Sequence, residues 1–454
     1  MKTGLFAAIL LLVPAVSFAQ VVAGDLDASF GSGGKATTDL SGGADHINAI
    51  ALQPDGKIVA VGFASLSGNT DFALARYNPD GSLDATFGSG GKTSLDFGGR
   101  DEADAVVLQP DGKILAAGSS LGAASSDFAL ARFLSNGAPD TSFNLTGKVT
   151  TDFGGADFAS GIALQADLNI VVVGFTQAAM SDPDFAVARY QPDGKPDLNF
   201  DLDGRVITNF SAGSEDGASS VAIQPADQKI VVAGFSNFDF AVARYQPNGG
   251  LDTSFDPLGL DGKVTLTFGG LIESAFAMVV QPDGKILLAG DADVNLVKEF
   301  ALARFDADGG LDAGFGSAGR VLTGFAASHG DSAHAVAVDA GGRILAAGYS
   351  QADFGLARYA SGGALDVSFQ EGGLVTTDFD GGSDAATAVA IQTDGFIVVG
   401  GYADVGGQED FALARYHPES VAAGTTGGGT ATGGSTGGAD GGSGGGCALV
   451  RWVD

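Results

Sequence analysis

The sequence is short of cations, sulfur and long apolar runs, and each shortage closes off a class of protein. Its 454 residues hold 23 Lys+Arg against 54 Asp+Glu, a net charge of −31. Phosphate recognition needs a basic footprint, so a nucleic-acid partner is argued against from the start. The one cysteine, Cys447, leaves no intramolecular disulfide, and stability must come from packing. Charged residues make up 17%, below the roughly 25% of ordinary soluble domains. Hydrophobic residues reach 45%, enough for a real core. With 73 Gly and only 3 Met, the composition suits many turns between short strands better than long helices.

The one pronounced apolar stretch, Leu5 to Val13, lies behind Lys2 and ahead of Ser17-Phe18-Ala19. Residues 1–19 read as a secretory signal peptide cut after Ala19, too short for the roughly 20 residues of a membrane span. No later run is long enough to span. A secreted, periplasmic or outer-surface bacterial protein is expected, monomeric and without a membrane span in the mature chain.

Against these absences stands a repeat. The segment Asp71-Phe-Ala-Leu-Ala-Arg-Tyr77 recurs with Phe at 72, 128, 185, 240, 300, 354 and 411, on average 56.5 residues apart. The first full unit holds four strand-like pieces: Ile47 to Gln53, Lys57 to Phe63, Phe72 to Tyr77 and Lys92 to Phe97. A Gln-Pro-Asp-Gly turn separates the first two. An Asn-Pro-Asp-Gly turn and Leu83-Asp84-Ala-Thr-Phe87 separate the last two. Pro presets φ and Gly accepts φ > 0, so the Pro-Asp-Gly triplets are reversal chemistry.

Four antiparallel strands, repeated seven times, predict an all-β, seven-bladed β-propeller over residues 20–418. The chain opens with an orphan fourth strand, Lys35 to Leu40, and its last repeat stops after a third strand, Phe411 to Tyr416. Pairing these two closes the ring and removes the exposed edges of an open array. The recurring phrases Leu-Asp-x-x-Phe, Gln-Pro-Asp-Gly-Lys and Asp-Phe-Ala-Leu-Ala-Arg-Tyr resemble the delta-60 repeat family, propeller-like units of exported bacterial proteins. The resemblance covers about residues 24–416; it implies the fold and assigns no activity.

The charges repeat as well. Arg76, Arg132, Arg189, Arg244, Arg304, Arg358 and Arg415 each stand four residues after the repeated Phe. An acid sits in every Leu-Asp loop or its equivalent: Asp27, Asp84, Asp140, Asp197, Asp252, Asp312 and Asp366. Strand alternation separates Asp71 from Arg76, so each Arg is expected to form a partly buried, bidentate tie to a loop carboxylate. Only Lys2, Arg100, Lys195, Lys298 and Arg451 lie outside the repeated cation positions, which leaves no basic patch for a polyanion.

A further periodic set, Asp45, Asp101, Asp157, Asp216, Glu273, Asp331 and Asp384, precedes each first strand. Two readings stand: carboxylates accepting backbone N–H groups, or an acidic ring at the channel mouth that attracts a cation or basic partner.

Other motifs are weaker. Gly88-Ser-Gly-Gly-Lys-Thr93 has a twin at Gly31 and reads as a blade connection rather than a phosphate loop. Asn199, Asp201 and Asp203 match the opening of a calcium loop, but Phe210 holds the place of the closing Glu. Calcium is the only cofactor with a candidate site. His329, Asp331 and His334 share one loop, too few ligands for zinc by spacing.

Residues 419–446 read as a Gly/Ser/Thr-rich flexible linker, with 13 Gly among the 26 residues 421–446. Residues 447–454 form a short tail. Gly-rich sequence followed by Cys447 resembles the start of bacterial C-terminal sorting regions, without their apolar helix and basic cluster. The tail also echoes the repeated third strand, as a stray edge strand would.

Two functions follow. One is a non-enzymatic binding or surface-interaction scaffold for an unknown protein or glycan, using the variable second-to-third-strand connections at 64–70, 119–126, 176–183 and 291–298. The alternative is an extracellular glycan or peptide hydrolase or lyase with a channel-mouth site, for which His329, Asp331 and His334 offer the one irregular polar cluster.

Overall fold

A computed structural model describes residues 20–66, 68–122, 125–178, 181–257, 261–325, 330–370 and 372–421. The expectations for 1–19, for 422–454 with Cys447, and for His329 lie outside the described residues. The described chain forms seven four-stranded antiparallel sheets. Blade 1 runs Asp45–Leu52, Ile58–Leu66, Asn69–Tyr77 and Lys92–Leu95. Blades 2 to 6 repeat it over 101–151, 156–208, 216–266, 273–323 and 331–377. Each first strand packs on the first strands of both neighbouring blades, so these strands are innermost and form a closed ring. Among the described residues, no helix is long and apolar enough to cross a membrane.

Blade 7 is built from both ends of the chain. Its first three strands are Asp384–Ile391, Ile397–Val405 and Gln408–Tyr416, and its fourth is Lys35–Thr38. The pairing runs from Lys35 opposite Ala414 to Thr38 opposite Phe411. The preceding segment strengthens the seam: Asp27 N–H donates to Arg415 O at 2.8 Å, Gly24 N–H to His417 O at 2.8 Å, and Phe30 is fully buried.

Every blade carries the same irregularity, a register shift between first and second strands, at Ile47/Ala49 in blade 1. Such a bulge presses one backbone onto the other. A Cβ on Gly62 would lie 1.8 Å from the His46 carbonyl oxygen, and Gly118 and Gly174 occupy equivalent positions. Glycine is required there because a side chain has no room.

The seven arginines bind blade to blade. Arg76 donates from Nε to Asp84 Oδ2 at 2.8 Å, with Nη2 at 2.8 Å from the same oxygen. Asp84 Oδ1 is instead taken by the Thr86 hydroxyl at 2.7 Å. The tie is therefore two nitrogens converging on one oxygen, not the fork-to-fork pair expected from sequence. Each guanidinium also covers the buried Phe of its loop, with Arg76 4.7 Å from the Phe87 centroid and Arg358 4.3 Å from Phe369.

The remaining nitrogen reaches the next blade. Arg76 Nη1 donates to Ser135 O at 2.5 Å, Arg132 to Pro192 O at 2.6 Å, Arg244 to Ala307 O at 2.5 Å and Arg304 to Ser361 O at 2.6 Å. Arg189 reaches Pro247 O, Arg358 reaches Pro418 O, and Arg415 crosses the seam to Pro79 O in blade 1. The third-to-fourth-strand turns thus serve as acceptors as well as reversals.

These ties set an acid limit on stability. Burial alone would raise the Asp252 pKa, but Lys229 at 2.9 Å, the Ser254 hydroxyl and Arg244 at 2.7 Å hold it down at about 2. A depressed carboxylate stabilises the fold fully above its unfolded value of 3.8 and loses that contribution as pH falls toward 2. Melting temperature is expected to fall across this window in the wild type and less steeply in Asp252→Asn, measured by circular dichroism.

Candidate functional site

The antiparallel register places the start of each first strand, the second-to-third loop and the end of each fourth strand on one face. In blade 1, Asp45 stands opposite Ala64, Ala64 opposite Asp71, and Phe72 opposite Leu95. The seven periodic acids open the first strands there, but they do not present an acidic ring to solvent. Asp45, Asp101, Asp157, Asp216, Glu273 and Asp331 are 0% exposed and Asp384 is 1% exposed. Each accepts a backbone N–H from the segment leading out of the preceding fourth strand. The donors are Leu40 at 2.6 Å, Phe97 at 2.6 Å, Phe153 at 2.6 Å, Phe210 at 2.8 Å, Phe268 at 2.6 Å, Phe325 at 2.8 Å and Phe379 at 2.7 Å. The channel-mouth field is corrected accordingly: these carboxylates staple one blade to the next. Burial raises the pKa of Asp45, Asp101, Asp157 and Asp384.

The acid preceding each repeated Phe reaches the same face and gathers further carboxylates. One oxygen from each member lies within 4.8 Å of the others in Asp71/Asp96/Asp101, Asp127/Asp152/Asp157, Asp353/Asp378/Asp384 and Asp39/Asp45/Asp410. In blades 3, 4 and 5 the middle position is Asn209, Thr267 or Gly324. Burial, then Asp39 and Asp45, push the Asp410 carboxyl up to about 6, with Lys92 opposing. The sequence showed the first and last acid of each set as periodic. It did not show that fourth-strand ends supply the third.

The candidate calcium-loop residues hydrogen-bond within their own turn. The Asn199 amide donates to Asp197 Oδ1 at 3.1 Å. Asp203 accepts Arg205 N–H at 2.9 Å and its guanidinium at 3.0 Å. Asp201 and Asp203 belong to no described cluster of three His, Cys, Asp or Glu side chains. Nor do Asp331 and His334 belong to any described cluster of three metal-binding side chains. Asp331 is bound to Phe325 N–H, and His334 stacks on Phe276 at 4.8 Å.

A non-periodic cluster appears instead where blades 5 and 6 meet. Asp291 stands opposite the repeated Phe300, at a place where five of the other six blades use Phe63, Phe175, Phe235, Tyr349 or Tyr402 and blade 2 has Ser119. It is 1% exposed, pairs with Lys298 Nζ at 3.0 Å and accepts the Ser332 hydroxyl at 2.8 Å. Burial raises the Asp291 pKa against the opposing pull of Lys298. Burial likewise opposes the Lys298 charge, but Asp291 keeps the ammonium pKa above its ordinary value. Lys298 was visible in the sequence as a cation outside the pattern; its buried partner was not.

The loops near this pair expose apolar side chains. Leu296 is 81% exposed and Leu271 69%, with Phe238 and Ile272 also exposed. Their loops are joined: Glu273 N–H donates to Phe238 O at 2.8 Å, Leu271 N–H to Asp293 O at 3.2 Å, and Asp293 N–H to Ile272 O at 2.9 Å. Four bulky apolar side chains thus stand exposed on loops tied by backbone hydrogen bonds.

The fold defines a seven-bladed β-propeller. The family model described as "Domain of unknown function (DUF5122) beta-propeller" matches residues 53–87, 109–143, 165–200, 226–255, 281–315, 342–369 and 392–420, together half of the chain. The chain belongs to this family. No curated protein matches the sequence. Among solved structures, a protein from Lactobacillus plantarum is similar at 13% identity and TM-score 0.49, over 80% of this chain and 97% of that one. The polysaccharide lyase Uly1 is similar at 14% identity and TM-score 0.48, over 83% and 90%. Sqt1 of Chaetomium thermophilum is similar at 12% identity and TM-score 0.41, over 81% and 82%.

Proposed function

We propose that the protein is an exported, monomeric, non-enzymatic scaffold that binds a partner on the loop face of blades 4 and 5. The observation that carries this reading is the joined apolar surface of Phe238, Leu271, Ile272 and Leu296. Aliphatic side chains of this kind favour a protein surface over a glycan. Export, to the periplasm or outer surface of a bacterium, rests on the signal-peptide pattern of residues 1–19. The delta-60 resemblance of the repeated phrases agrees with it.

Residues 20–454 are expected to be retained on isolated bacterial cell-envelope protein. The triple variant Phe238→Ser, Leu271→Ser, Leu296→Ser is expected to bind at least tenfold more weakly while melting like the wild type. Equal retention of both proteins, or of neither, would contradict the reading.

A second reading, an extracellular glycan or peptide hydrolase or lyase, draws on the Asp291–Lys298 pair beside Ser332. Cleavage of a polysaccharide by the wild type and its loss in Lys298→Met would favour it.

A further inference from the structure

Where the ring closes, three carboxylates from distant parts of the chain meet. Asp39 follows the N-terminal strand, Asp45 opens blade 1, and Asp410 lies on the last third strand. One oxygen from each is within 4.8 Å of the others. Two of the three are already engaged. Asp39 Oδ1 accepts N–H groups from Ser41 at 2.9 Å and Gly42 at 2.5 Å. Asp45 accepts Leu40 N–H and the Ser41 hydroxyl, both at 2.6 Å.

Asp410 differs. The residue is 9% exposed, and its Oδ1 is closed to solvent and takes no hydrogen bond. An ionised carboxylate shut away without a donor is costly, and a cation is what relieves it. The cation that acts on Asp410, Lys92, spends a hydrogen bond on the Asp39 backbone carbonyl. Three carboxylates against one ammonium leave two negative charges, the complement of one divalent ion.

We propose that Asp39, Asp45 and Asp410 form a calcium site that pins the N-terminal strand into the last blade. Oxygen-only donors select a hard cation. Calcium takes oxygens at about 2.3–2.6 Å, so two ligands stand up to about 5 Å apart across the ion, whereas magnesium at about 2.0–2.1 Å needs them closer. Oxygens within 4.8 Å of one another fall inside calcium's span. Because the ligands come from both ends of the propeller, binding the ion favours the closed ring over any opened state. The Asp71, Asp127 and Asp353 triads repeat the arrangement within continuous stretches of chain, so the seam variant must be read against their background.

The test uses residues 20–454, stripped with a chelator and returned to about 1 mM calcium, the range that extracellular calcium sites are tuned to. Bound calcium is counted by equilibrium dialysis and stability is followed by thermal melting. Calcium is expected to raise the wild-type melting temperature by several degrees. Asp410→Asn is expected to bind one ion fewer. It should melt above the wild type in chelator, where it removes a buried charge, and below it in calcium. Asp39→Asn, at an exposed position, reports the same lost ion if Asp410→Asn does not fold, and Asp380→Asn serves as an exposed control. Absence of bound calcium, or unchanged stoichiometry in both seam variants, overturns the proposal. So does a wild type stabilised by acid below pH 6 but not by calcium, which would mean that the carboxylates share a proton instead.

Discussion

Deleting residues 20–43 is expected to abolish the folded ring. The deletion removes the fourth strand of blade 7 and leaves the backbone edge of 411–414 unpaired. It strips out Phe30, which is 0% exposed, and with it the platform 4.9 Å below the Arg415 guanidinium. It also takes Asp27 from Arg415, and breaking a buried ion pair from one side costs about 3–5 kcal/mol. Full burial of a Phe side chain is worth about 1.5–3 kcal/mol more. Four lost strand pairings add to that, against a net stability of about 5–15 kcal/mol for a folded domain. The deleted protein should elute as aggregate on size exclusion and show no cooperative melting transition. Melting within a few degrees of the full-length protein would mean that the seam contributes little.

The second large effect is expected at the repeated arginines. Arg189 is 6% exposed; its Nε and Nη2 are each 2.8 Å from Asp197 Oδ2, its Nη1 reaches Pro247 O in the next blade, and its plane lies 4.7 Å from the Phe200 centroid. Arg189→Ala leaves the Asp197 carboxylate, itself 3% exposed, without its cation. It also bares a carbonyl in blade 4. A loss of about 3–5 kcal/mol follows. At about 2–4 °C per kcal/mol this lowers the melting temperature by roughly 10 °C. Arg189→Lys should recover little, because an ammonium lacks the planar fork and does not stack. The paired change Arg189→Met with Asp197→Asn should recover more than either single variant, since it removes both charges together. Arg100→Ala, at a side chain 55% exposed, is the control and should melt within about 1 °C of the wild type. A similarly small shift in Arg189→Ala would remove the arginines from the account of stability.

These two effects show which layers of the molecule are written locally. The blades were legible because hydrophobic alternation and Pro-Asp-Gly turns recur with one period, and the orphan strand at Lys35 had a matching gap after Tyr416. Strand ends were less so. Asn69 to Asp71 are polar, yet they extend the third strand by pairing with Ala64 to Leu66. Alternation separates Asp71 from Arg76, which leaves Arg76 free to reach Asp84.

The acids opening the first strands were ambiguous because a bulge intervenes. The shift between Ile47 and Ala49 inserts an extra residue, so the facing counted back along the strand from Ala49 does not carry to Asp45. The candidate face was hidden for the opposite reason. Asp291, Leu271 and Leu296 are departures from the repeat, and a reading built on periodicity weights what recurs. The Asp39/Asp45/Asp410 meeting depends on ring closure, which brings together residues more than 360 positions apart in the chain.

The closed ring is tested most directly by a cross-link across its seam. Ala36 and Leu413 are register partners on adjacent antiparallel strands, close enough for a disulfide. In a Cys447→Ser background, the double variant Ala36→Cys, Leu413→Cys is expected to oxidise quantitatively within single chains, migrate faster on a non-reducing gel and melt higher than its reduced form. Two thiols that stay free under oxidant, or that link only between chains, would place the N-terminal strand elsewhere and contradict the account.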